Sequence, residues 1–375
     1  MPLLRPRSAL RWSLVGLLVL LLAALPSLVG RLPAADADRS AADLRAAVLA
    51  SGDVAFSGYA QSAGGLTLPL TDTFTGIADL FSDRATMRTW YRSAQDWRTD
   101  VVTATGETGT HRDATGTWTW QYEDDEATRA RVFPLSLPIA PDLLPSDLGR
   151  RLLSQAADDE LTRTGAERIA GRDALGLRLV PADVASSVSH VDLWVDAATG
   201  VTLRVEVFGG DASAVGVVTG EPALSTGFLD VDFTEPAASV TAFTPPPGAD
   251  VETDEGLPVL DGGRTPDQSP LPAELAGLPR QDVEGVERSV GVYGRGITQL
   301  VVVPIPGRFA DRLRGQLDVA PGAVLDDLGV RLSAGPLGLM IATGPRGATY
   351  LLAGTVTSET LASVAGQLPT TGGRG

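Results

Sequence analysis

Between residues 86 and 233 this chain returns repeatedly to a period of two. The segment Thr117-Trp118-Thr119-Trp120-Gln121-Tyr122 sets its aromatic side chains on one face of a strand and its polar ones on the other. Thr86 to Arg92, Trp97 to Val102 and Gly227 to Phe233 follow the same rule, as do Val54, Phe56 and Gly58 nearer the N-terminus. Successive side chains of a strand point to opposite faces. Alternation of this kind therefore describes an antiparallel sheet with one face buried or wrapped around something. Val191 to Asp196 and Val201 to Val207 flank Ala197-Ala198-Thr199-Gly200, which predicts a β-hairpin whose glycine supplies the positive φ of the turn. Helices are predicted over Ala41 to Ala50, where Leu44 and Val48 recur at helical spacing, and over Pro145 to Leu153, with Ser146 or Asp147 as N-cap.

The pattern breaks between Thr244 and Pro279, where proline, glycine and acidic residues crowd a stretch without a sustained apolar period. Such a stretch buries too little surface to offset its ordering entropy, so residues 251–280 read as a linker. A first domain is expected over 38–250 and a second over 281–368, with 369–375 as a tail. The second domain mixes strands at Val290 to Tyr293, Thr298 to Val303, Val330 to Leu332, Leu337 to Ala342 and Thr349 to Leu352 with helices at Phe309 to Leu317 and Ser358 to Leu368. Ser358 is the expected cap of the last helix. The whole reads as an α+β chain.

The compartment is read from residues 1–37. Arg5, Arg7 and Arg11 precede a run from Leu14 to Leu25 that is almost purely apolar, followed by Pro26 and apolar character resuming as far as Val29. A basic flank before such a run marks an export signal, cleaved near Ala35-Asp36-Ala37 or retained as a signal-anchor helix. Either way the remainder is expected outside the cytoplasm, secreted or periplasmic if cleaved and held at the cell membrane if not. The sequence has no cysteine, which removes disulfides, thiol chemistry, thiolate zinc sites and a lipidated N-terminal cysteine. All 30 basic residues are arginine, the mark of GC-rich coding of the kind actinobacteria have. Removing Arg5, Arg7, Arg11, Arg31 and Asp36 takes the net charge from −16 to −19. A body that acidic has no general electrostatic route to nucleic acid or to anionic lipid head groups.

Motifs for chemistry are weak. His111 and His190 lie in or beside strand-like segments without a second histidine at metal spacing. No Gly-x-Ser-x-Gly elbow occurs, and Gly291 to Gly296 lacks phosphate-loop spacing, reading as a strand and a turn. Glu123-Asp124-Asp125-Glu126 offers hard-cation ligands, but its place between two strands suits a solvated hairpin tip. Leu368-Pro369-Thr370-Thr371-Gly372 matches a wall-sorting motif without the apolar span and basic tail that such a signal uses, and reads as chance. No catalytic residue, metal or cofactor is assigned.

The aromatic residues remain. Trp90, Trp97, Trp118, Trp120 and Trp194 all fall in strand patterns of the first domain. They are read as core or as the lining of an apolar cavity that accepts an acyl chain or a partner's peptide. Trp118, Trp120 and Tyr122 share a face, whereas Trp90 and Tyr91 point oppositely.

Several blocks together carry a family resemblance. Met87 to Trp97 (MRTWYRSAQDW), Gly106-Glu107-Thr108-Gly109, the Trp118 to Tyr122 strand, Leu143-Leu144-Pro145, Ala170-Gly171-Arg172 and the hairpin with Trp194-Val195-Asp196 and Thr199-Gly200 resemble the N-terminal domain of the MucB/RseB family. Tyr293 to Val303 and Leu352 to Val356 are loosely similar to its C-terminal domain. The resemblance implies an N-terminal LolA-like half-barrel of antiparallel strands wrapping helices, plus a smaller C-terminal α+β domain. It implies a non-enzymatic envelope regulator that binds an anti-sigma factor or other membrane protein, with a lipid as a further ligand. The alternative it offers is a LolA-like carrier of lipids or lipoproteins. The chain departs from lipoprotein-anchored relatives in having no lipobox cysteine.

Overall fold

A computed structural model of the chain describes residues 34–64, 84–103, 106–130, 138–210, 220–254, 270–284, 289–344 and 347–369, with Val15, Ala214 and Val286 as isolated positions. The export segment, apart from its last residues, lies outside the described residues, as do residues 370–375 of the sorting-like motif and tail. Among the described residues no helix is long and apolar enough to cross a membrane.

Two runs of neighbouring antiparallel strands make the larger sheet. The first is β1 (Phe56–Gly64), β2 (Arg84–Ser93), β3 (Asp96–Val102), β4 (Glu107–Asp113), β5 (Gly116–Gln121) and β6 (Glu126–Ala130). The second is β7 (Leu161–Ile169), β8 (Arg172–Leu179), β9 (Val188–Asp196), β10 (Thr202–Gly209) and β11 (Leu224–Asp232). They join where β1 pairs with β11, and β12 (Asp250–Thr253) adds in parallel to β6 at the far edge, giving twelve strands in the order 12-6-5-4-3-2-1-11-10-9-8-7. The β9–β10 hairpin turns through Gly200 at φ 76°, as its sequence predicts.

Helices α1 (Ala41–Ala50) and α2 (Pro145–Ser154) lie on one face of this sheet. Leu44 and Val48 of α1 and Leu152 and Leu153 of α2 pack on Leu175 and Leu177 of β8, Leu193 of β9 and Val205 of β10. Beside them, Phe56, Met87, Tyr91, Leu203 and Phe228 form a second cluster on the same pleat. The antiparallel sheet wrapping two helices is the α+β, LolA-like arrangement that the resemblance implies.

The start of α2 differs from its expected form. Its N-cap is Leu144, without a side-chain cap, and Pro145 holds the first turn. Proline's fixed φ and missing N–H suit that position, while Ser146 is fully buried instead of capping.

The smaller sheet has the order β15 (Gly291–Arg295), β16 (Thr298–Pro304), β20 (Thr349–Gly354), β19 (Leu337–Thr343), β18 (Gly329–Ala334), β17 (Val324–Asp326). Helix α4 (Gly307–Leu317) covers one face through Ala310, Leu313 and Leu317, and α5 (Ser358–Gln367) covers the other through Leu361 and Val364. Thr357 caps α5 by accepting from the N–H of Thr360, one residue before the expected Ser358.

Parts of the segment read as a linker are ordered. Residues 250–253 form β12, and the short hairpin β13 (Glu274–Leu275) and β14 (Leu278–Pro279) buries Leu271, Leu275 and Leu278 against Tyr293 and Leu300. Leu271, Leu275 and Leu278 are spaced as on a helix face, yet they sit in and just before a short hairpin and each fills the end of the smaller core.

Candidate binding surfaces

Where the two sheets meet, the loops after α2 and β8 touch the β15–β16 turn. Arg295 donates to both carboxylate oxygens of Glu160 at 2.9 Å each and to the carbonyl of Gln155 at 3.0 Å. Glu160 also accepts the N–H groups of Ala157 and Ala182. Burial pushes its carboxyl up, but the Arg295 and backbone hydrogen bonds outweigh this and hold it below its ordinary value. A second point of contact runs from Ala185 to Ser187: Thr357 N–H donates to the Ala185 carbonyl at 2.9 Å and Ser187 N–H to that of Thr355 at 3.2 Å. The cavity beside Glu160 and Arg295 holds about 20 Å³, room for one water. Glu160→Ala strips two backbone donors of their acceptor and is expected to lower unfolding free energy by about 1–3 kcal/mol. Glu160→Gln, which still accepts, is expected to recover part of that loss in urea denaturation. An unchanged midpoint for the alanine variant would refute the role.

On the pleat of the large sheet facing away from the helices, a row of side chains crosses five neighbouring strands, β2 to β6. The register pairs Trp90 with Arg98, Arg98 with His111 and His111 with Trp118, and then Trp118 with Arg129. The Arg98 guanidinium lies 5.1 Å from the Trp90 ring centre and that of Arg129 5.7 Å from Trp118, within cation–π range. Arg98 also grips the buried carboxylate of Asp100 through two bonds of 2.7 Å and donates to the Tyr122 hydroxyl.

This row is roofed by the chain itself. After β11 the backbone crosses the outer face, turns through α3 (Ala238–Thr241) and delivers Phe243 onto His111, Trp118 and Trp120, with ring centres 4.6, 6.0 and 6.2 Å away. Arg92 ties down the near end by an ion pair with Glu235. His111 Nδ1 faces the Thr241 carbonyl at 3.3 Å, and its Nε2 is buried without a hydrogen-bond partner. The strap then pairs as β12.

No family model matches the chain and no curated protein matches it. Among solved structures, a chain of the Pseudomonas aeruginosa MucA/MucB complex superposes over 89% of this chain and 99% of its own length, at 16% identity and a TM-score of 0.51. This is a MucB/RseB-like fold. A structure of MucB in complex with MucA(peri) gives 0.49 at 15% identity, covering 89% of this chain and 100% of that one. A LolA superfamily protein from Nitrosomonas europaea gives 0.24 at 11%, covering 55% of this chain and 98% of that one.

Within the MucB-like fold the five tryptophans do not line one space. Trp97 stands opposite Tyr91 and packs into the cluster on the helix-bearing face. Trp90, Trp118 and Trp120 belong to the opposite pleat, where Trp120 is 6% exposed and Trp118 partly so. Trp194 pairs with Arg204 next to a bulge, lies 5.2 Å from the Arg204 guanidinium and, like Trp97, packs against the Phe56 cluster. The acidic run 123–126 is the β5–β6 hairpin tip, where Glu123 accepts the N–H of Glu107 at 3.0 Å. Among the described residues no group of three metal-ligating side chains gathers. The strap and its histidine had no signal in the sequence, because neither a lone histidine nor a proline-rich crossing announces its partner.

His111 predicts a pH response. Burial lowers its pKa, Arg98 adds to that, and the Thr241 carbonyl, Asp100 and Asp113 oppose it. The unfolded chain, with histidine near its ordinary value of about 6.5, then binds the proton more readily. Stability is therefore full above that pH and falls as pH drops below it towards the native pKa. His111→Phe, which keeps a ring under Phe243, is expected to flatten this dependence in thermal melts between about pH 7.5 and 5.5. An unaltered slope would place the titrating group elsewhere.

Proposed function

We propose that this chain is an extracytoplasmic binding protein, not an enzyme, whose partner is the extracytoplasmic segment of a membrane-bound anti-sigma factor. The observation that carries the reading is the likeness to a chain solved in the MucA/MucB complex, which spans both sheets and nearly the whole of that chain. The family resemblance in Met87 to Trp97 and the β9–β10 hairpin points the same way. The functional units are domains 38–250 and 281–368, and the apolar stretch before residue 38 delivers them across the membrane as a signal peptide or an anchor. On this reading the chain works by surfaces, and pairs such as Glu160–Arg295 and Asp100–Arg98 serve structure.

The test is isothermal titration of the purified chain with the extracytoplasmic segments of the single-span anti-sigma factors encoded in the same genome. Saturable one-to-one binding to one of them is expected. Absence of heat with every segment overturns the reading. An acyl-chain adduct in native mass spectrometry, lost on organic extraction, would assign the chain to lipid carriage instead.

A further inference from the structure

The smaller sheet is covered nearly everywhere. Its two faces lie under α4 and α5, and its β15 edge is occupied by the preceding segment, where Gln281 N–H donates to the Val292 carbonyl at 2.7 Å and Arg280 bridges to Tyr293. The opposite edge, β17, has no neighbour among the described residues. Its register fixes what it offers. Asp326 pairs with Gly329 across a two-residue turn, so Leu325 and Val330 form the pair that exchanges no backbone hydrogen bonds. The register of β18 on β19, closed by Ala334 and Leu337, agrees, since it turns the backbone groups of Val330 towards Ile341. The N–H and C=O of Leu325 therefore point outward, away from β18.

The side chains around this edge are apolar where solvent-facing ones would be polar. Val319 is 83% exposed, Val324 42% and Leu325 58%. Leu325 stands on the α4 face, in line with Val330 and Ile341, and Val324 on the α5 face, in line with Arg331 and Met340. An added strand with apolar residues at alternate positions would cover them. Asp327, in the turn that closes the strand, and Asp318, next to Val319 in the chain, both stand exposed. Two copies of this chain meeting edge to edge would bring these acids together, so the complementary occupant is basic.

We propose that β17 is a docking edge for an extended segment of a partner protein. The segment is apolar at alternate positions and carries arginine or lysine beyond them. It pairs through the outward backbone groups of Leu325, and its side chains rest beside Leu325 and Val319. The proposal goes beyond the anti-sigma reading and stands whichever protein supplies the segment.

The experiment pans a phage-displayed library of random linear peptides on the full chain and synthesises the enriched sequences. The expected sequences alternate apolar residues between basic ones, and their affinity falls at least about tenfold in Leu325→Asp, worth about 1.4 kcal/mol. N-methylation of the central amide, which leaves the protein untouched, is expected to abolish binding. Asp318→Arg with Asp327→Arg is expected to weaken binding several-fold at low salt. The proposal is overturned by an absence of enrichment, by peptides that bind Leu325→Asp as well as the parent, or by tolerance of N-methylation. A concentration-dependent dimer in sedimentation that Leu325→Asp dissolves would give the edge to a second copy and overturn it too.

Discussion

Replacing Phe56 by alanine is expected to lower the unfolding free energy by about 3–5 kcal/mol, the range for deleting a large buried aromatic side chain. Phe56 is wholly buried. It stacks on Tyr91 with ring centres 5.1 Å apart and planes 14° from parallel, and meets Phe228 edge-on at 5.5 Å and Phe233 at 6.4 Å. Its strand is flanked by β2 on one side and β11 on the other, so the ring secures the line where the two halves of the sheet join. Urea denaturation followed by tryptophan fluorescence measures the change. Phe56→Leu, which keeps much of the buried volume, is expected to lose less than half as much. A loss below about 1 kcal/mol for the alanine variant would mean that the site collapses around the gap, contrary to the close packing seen here.

The second large effect is expected at Trp120, where alanine should cost about 3–5 kcal/mol. Trp120 is 6% exposed, lies 5.9 Å from the Tyr122 ring and is roofed by Phe243. Because the strap rests on it, Trp120→Ala is also expected to open residues 234–249 to limited proteolysis. Phe243→Ala should open the same segment, and the double variant should cost less than the sum of the two, since each removes the other's contact. Additive losses with an intact strap would show that Trp120 is held by its own sheet alone. Trp90→Ala is the comparison: its ring is partly exposed, and its chief polar neighbour is the Arg98 guanidinium, so about 1 kcal/mol is expected.

The strands that sequence reveals best are those half-buried on one side. The Val191 to Val207 hairpin alternates because one face meets the helix-side core and the other does not, and Trp118 to Tyr122 because its aromatic face lies beneath Phe243 of the strap. Strand β4, with the sequence ETGTHRD, gives no such sign. Thr108, Thr110 and Arg112 line its helix-facing pleat, and His111, which shares the other pleat with Gly109, is buried by a segment 130 residues away. Strand β7 is equally hidden, because an edge strand with Arg163, Glu167 and Arg168 reads as loop. Residue parity shows that Trp90 and Tyr91 point apart, but assigning each to a face needs the register of β2 on β3. That register depends on partners which alternation alone does not name, so the five tryptophans read as one stripe when the fold divides them. The candidate cap Ser146 misled for a related reason: Pro145 supplies the first turn without side-chain help, leaving serine free to be buried.

The strand order has a consequence for how the chain comes together as it folds. Strands β1 to β6 each pair with the next in sequence, and so do β7 to β11, so either run forms from strands that are neighbours along the chain. The joint between them brings Ser57 to Asp232, and no part of it exists until β11 is free to pair. Until then β1 is a bare border with Phe56 uncovered. The slow step of folding should therefore be the late arrival of β11, which completes the barrel wall from both sides at once. Until β11 docks, the strands of both runs stay half-assembled and adhesive.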